Sequence, residues 1–267
     1  MAELRSPKVC AALVMIGWLA SLIAFWGMTV AGRDAVAGDK SCGAKDLQSR
    51  GVRLEMAATA PKALDVLNHE PAKAACIRRG AAAQVKADYL FIPAYSLLAL
   101  SLFLFVRALR EELSGRMSVL QKVLPAAGVL LVLAMLIGDV VENLHLTEVI
   151  RFAGLKPPEE AGIAGQLPAL RAASSVKFAA LALSAGLLGV LWSSKTGSAL
   201  VWVPRLIGLA AAAVFLYGLI RGEWEPVSWG MTVFAALGLA ALIHAVAVAT
   251  DPEQVLASEP LPGGQIS

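Results

Sequence analysis

Charge is scarce in this chain. Asp, Glu, Lys and Arg together make up 16% of its 267 residues, against about 25% in soluble domains. The formal net charge is only +3, and the basic residues are scattered rather than striped, which argues against a nucleic-acid partner. Cysteine is limited to three residues, with no C-x-x-C pair, so a thiol redox motif is absent. There is no H-E-x-x-H, no P-loop lysine motif and no G-x-S-x-G elbow, and with them go the commonest zinc-protease, nucleotide and serine-hydrolase signatures. The sequence names no cofactor.

What is present is apolar residue, 58% of the chain, at a mean hydropathy of +0.69. It is gathered into six runs: Val9–Ala31, Tyr89–Val106, Val123–Val141, Val176–Trp192, Val201–Ile220 and Trp229–Thr250. Each is long enough to cross a hydrocarbon core as a helix. Leu and Ala dominate without the short alternating segments of a barrel. The fold class expected is all-α, an integral membrane bundle of six transmembrane helices. A six-span domain covers residues 1–250, and a small helical extracytoplasmic cap of residues 32–87 is inserted between the first two spans. Residues 251–267, rich in Pro and Gly, read as a disordered cytoplasmic tail. The first run exceeds the usual core of a signal peptide and reads as an uncleaved anchor.

Orientation follows the basic residues beside short loops. Arg5 and Lys8, then Arg107, Arg110, Arg116 and Lys122, then Lys195 and Arg205 all fall on one side if every run spans. That side is expected to be the cytoplasm of a bacterial inner membrane, with both termini inside and membrane lipid as the constant partner. Trp224 and Trp229 suit an interfacial belt on the outer side, and Trp192 and Trp202 on the inner side. Within the cap, 61–67 and 72–86 have helical composition, broken at His69-Glu70-Pro71, and 80–86 should run on into the second span. Cys42 and Cys76 both lie in this region, where an oxidising compartment favours a disulfide. Closing that loop stabilises by about 3–4 kcal/mol through lost chain entropy.

The polar residues of the spans converge on one place. The second run opens with Asp88 and reaches Tyr95; the third closes with Asp139, Glu142 and Asn143. Asp139, Glu142 and Asn143 stand at i, i+3 and i+4, on one helical face. Asp88 and Tyr95 share a face seven residues apart. Ionisable groups in spans are expensive and face the bundle interior, and acids at a helix C-terminus oppose the macrodipole. Compensation must come from Lys177, Lys86, Arg171, a bound cation or shared protons. Pro93 removes a backbone hydrogen bond one turn from Asp88, and a kink there would open space beside the acids. His244, deep in the sixth run, reads as a proton relay or a histidine donating to backbone. Gly186 and Gly189 read as close-packing residues.

The stretches D-Y-L-F-I-P-A-Y (88–95) and G-D-V-V-E-N-L-H-L (138–146) resemble bacterial multi-pass membrane proteins in which D-x-x-F…Y opens one span and D-x-x-E-N closes the next. The resemblance implies no assigned activity. Three functional expectations stand side by side. The first is a binding or transport protein whose acidic pocket of Asp88, Tyr95, Asp139, Glu142, Asn143 and Lys177 takes a small polar or lipid-like ligand or a cation. The second is an intramembrane enzyme acting on lipid, with Glu142 as general base and Asp139 or His145 orienting it or a metal, since Glu142-x-x-His145 has carboxylate-bundle spacing. The third is a scaffold whose cluster locks two spans together.

Overall fold

In a computed structural model, residues 6–40, 42, 47, 50–114, 119–192 and 199–251 are described. Arg5, Arg116, Lys195 and the expected tail beyond Asp251 lie outside them. The described residues form helices α1 (Pro7–Val36), α2 (Arg50–Glu55), α3 (Ala60–Asn68), α4 (Pro71–Ser114), α5 (Val119–Ala153), α6 (Glu160–Leu191), α7 (Ala199–Arg221) and α8 (Trp224–Thr250). Six of these, all but α2 and α3, are long and apolar enough to cross a membrane, so the all-helical six-span expectation holds.

The boundaries follow local chemistry. Proline opens α1 and stands at the start of α3, where a missing N–H costs nothing. Gly222, at φ +65°, ends α7 in the left-handed conformation that glycine adopts without strain. α8 begins two residues later at Trp224, so the connection between the last two spans is shorter than the residue 221–228 loop expected. α4 continues as helix through Pro93.

The six spans form a closed ring. Each packs on the next in the order α1, α4, α5, α6, α7, α8, and α8 returns to α1. One end of the ring is filled by Leu102, Phe105, Leu188, Trp192 and Ala245. The middle holds Met135, Phe178, Phe215 and Val227. Close approach between α6 and α7 depends on paired glycines: a Cβ on Gly208 would stand 2.8 Å from Gly189 Cα. Gly189 therefore has the packing role expected of it, whereas a Cβ on Gly186 would make only an ordinary 3.5 Å contact.

The cap is larger than the sequence indicated. α4 is 44 residues long, about 66 Å at 1.5 Å per residue, roughly twice a hydrocarbon core. α5 and α6 also overshoot, leaving only residues 154–159 between them. Leu146, Val149, Ile150 and Ala153 of α5 and Ile163, Leu167 and Leu170 of α6 join Leu67 of α3 and Ile77 of α4 in a separate buried cluster. The region between the third and fourth runs stays helical because its apolar residues recur at helical spacing and have this second core to bury them. Cys42 and Cys76 form a disulfide with their Cα atoms 6.3 Å apart, tying the chain before α2 to α4.

Trp192 departs from its expected place. It is fully buried, edge-on to Phe105 and tilted against His244, rather than at an interface. Its indole Nε1 donates to His244 Nδ1 at 3.2 Å, so that nitrogen of His244 accepts from a side chain rather than donating to backbone. Trp202 and Trp229 are exposed on the bundle surface.

Candidate functional site

Asp139, Glu142 and Asn143 do share one face of α5, and that face divides its partners between two neighbours. Toward α4, the Tyr95 hydroxyl donates to Asp139 Oδ2, and Asn143 Nδ2 donates to Asp88 Oδ2 at 2.7 Å. Toward α6 lies Lys177, the only one of the expected counter-charges to reach the site. Its Nζ stands 2.5 Å from Glu142 Oε1 and 3.0 Å from Asp139 Oδ1. Lys86 and Arg171 are exposed instead.

Gly138 sets this geometry. A Cβ there would lie 3.0 Å from the Ala173 carbonyl oxygen and 3.1 Å from the Lys177 amide nitrogen. Both are backbone atoms that cannot swing aside. Glycine beside Asp139 thus lets α5 press on α6 at the level of the lysine. The Lys177 ammonium also lies 4.6 Å from the Phe178 ring centroid, close enough for a cation–π contribution.

A third carboxylate completes the site, and no sequence pattern announced it. Glu55, at the end of α2 in the cap, places Oε2 3.2 Å from Lys177 Nζ. The two residues are 122 positions apart, and a lone acid in V-R-L-E-M reads as a loop charge. The one local signal is that Glu55 sits between apolar Leu54 and Met56.

The site therefore holds one ammonium among three carboxylates. Lys177, Glu55, Asp139, Glu142 and Asn143 are all buried, Glu142 to within 1%, while Asp88 and Tyr95 are half-buried. The second oxygen of Glu142 is buried without a hydrogen-bond partner. An unpaired oxygen of this kind is costly in a low-dielectric interior.

The metal alternative is not assembled. His145 Nδ1 pairs with Gln166 Oε1 at 2.7 Å, away from Glu142, and the lysine ammonium occupies the point where Asp139 and Glu142 converge. Among the described residues no group of three or more His, Cys, Asp and Glu side chains is placed to hold a metal. Set against known proteins, the chain matches no family model, no curated protein and no solved structure.

Proposed function

We propose that this is a bacterial inner-membrane protein that binds, and in doing so transports, a small monovalent cation, the proton included, at the acid cluster on the cap side of the bundle. The cap would face out and both termini in, in keeping with the basic residues beside the short loops. The observation that carries the reading is the charge count. With every group ionised, the three carboxylates on Lys177 leave two negative charges uncompensated in a buried site, besides that of Asp88 beside it. Burial of unpaired charge is so costly that a proton or another cation must join it. Glu142 Oε2, buried and unpartnered, is the atom that would receive it. Lys177 then acts as a tethered cation, sharing the acids with the mobile one, and Tyr95 and Asn143 fix the orientation of Asp139 and Asp88.

A scaffold reading has an observation of its own. Lys177 joins α6, α5 and the cap through direct ion pairs, which is what a structural lock would do. Thermal unfolding of the purified full chain separates the two. A ligand that binds only the folded state raises the midpoint with its concentration. The midpoint should rise with Na+ or K+ at fixed pH, or with falling pH at fixed salt, and the Asp139→Asn, Glu142→Gln double variant should lose that response. The two series distinguish a metal cation from the proton. An unchanged response in the double variant would place any bound cation elsewhere and favour the lock.

A further inference from the structure

We infer that α2 is the movable gate of the acid site, with Glu55 as its latch. The inference rests on the reading of the cluster as a ligand site and names how that site would open. α2 is six residues long, yet it touches α3, α5, α6 and α8. It lies between two cores. Val52 and Met56, one turn apart, pack against the membrane-level cluster of Met135, Phe178, Phe215 and Val227. Leu54, on the other side of the helix, is buried in the cap cluster with Leu67, Val149 and Leu170. A helix so placed bridges the two cores and rests on both α6 and α8.

Two charged side chains add to this apolar packing. Glu55 reaches Lys177 on α6, and the Arg53 guanidinium lies 5.5 Å from the Trp224 ring centroid at the start of α8. The Glu55 contact, at 3.2 Å, is the longest of the three ion pairs on Lys177, and Glu55 is the most exposed of the three acids at 8%. Lifting α2 would leave Lys177 with its two shorter partners on α5, so the membrane part of the site survives opening. It would also expose Glu142 Oε2 to water and to an incoming cation. Opening must break one ion pair, one cation–π contact and the packing of three apolar side chains, less than any of the six spans has to lose, so it can occur locally without global unfolding.

The test uses a thiol reporter beneath the gate. Val227, fully buried at the start of α8, is replaced by cysteine in the full chain, with Cys10→Ser removing the thiol that the disulfide does not use. A parallel chain carries Val149→Cys in the cap core. Maleimide labelling of Val227→Cys should be slow, and faster on the order of tenfold when Glu55→Gln is added, as expected from losing one buried charged contact, and by a smaller factor when Arg53→Ala removes the cation–π contact. Val149→Cys should keep its rate in both backgrounds. Equal Val227→Cys rates with and without the latch substitutions overturn the gate, as does a parallel rise in Val149→Cys, which means the whole cap loosens. Cation binding measured on the same chains bears on the ligand reading alone. A gated reporter in a chain that binds no cation keeps the gate and removes the cation; the converse removes the gate.

Discussion

Glu142 and Lys177 meet across the α5–α6 interface with Oε1 2.5 Å from Nζ, both side chains almost wholly buried. That contact is the hub of the cluster, because Asp139 and Glu55 reach the same ammonium. Lys177→Met removes the sole positive charge and leaves three acids facing one another. Breaking a buried pair from one side costs about 3–5 kcal/mol, so the variant should unfold at a markedly lower temperature. Adding Asp139→Asn and Glu142→Gln to Lys177→Met should recover much of that loss, since two of the three stranded charges go with it and only Glu55 remains. A triple variant no more stable than Lys177→Met would show that the lysine matters through packing.

Gly138→Ala should act at a distance of one residue. Its methyl group meets the backbone of Ala173 and Lys177 at 3.0–3.1 Å, so α5 and α6 must separate. Overpacking of this kind costs about 1–3 kcal/mol. The thermal midpoint should fall, and the cation response should weaken because Asp139 and Glu142 are drawn from Lys177. An unaltered midpoint and response would mean that the interface has slack there.

The disulfide supports the cap rather than the ring. Cys42→Ser opens a bridge across 34 positions of sequence, a change that typically costs about 2–5 kcal/mol. Hydrogen exchange should quicken in α2, α3 and the first turns of α4 while α7 and α8 keep their protection. Uniform quickening through the bundle would show that cap and membrane part unfold together.

At the other end of the bundle, Trp192→Phe deletes the donor to His244 Nδ1. Loss of one buried hydrogen bond costs about 0.5–1.5 kcal/mol. The thermal midpoint should fall accordingly, with the cation response of the acid site intact. A changed cation response would couple His244 to the cluster.

The membrane architecture was legible because length and hydropathy report directly on spans, and the i, i+3, i+4 spacing of Asp139, Glu142 and Asn143 placed them correctly on one face. Lys177 was recoverable as a counter-charge from its place at the start of the fourth run, level with the end of the third. Glu55 was not, because a contact across 122 positions leaves no periodic trace. The size of the cap escaped for a different reason. Residues 142–153 and 160–175 carry enough polar side chains to end a membrane span, yet their apolar residues keep the helical spacing that a second core rewards. Trp192 was misplaced because a tryptophan at the end of an apolar run suits an interface equally well; only the presence of Phe105 and His244 beside it decides for the interior.

The claim that the cluster takes up a proton or cation is tested most directly by infrared difference spectroscopy of the carboxyl groups. The purified full chain is compared before and after a step in pH, and before and after a step in Na+ or K+, and the same steps are applied to Glu142→Gln. The account predicts a carboxyl or carboxylate difference band in the parent chain that disappears in Glu142→Gln. No band in the parent, or the same band in both chains, would contradict it.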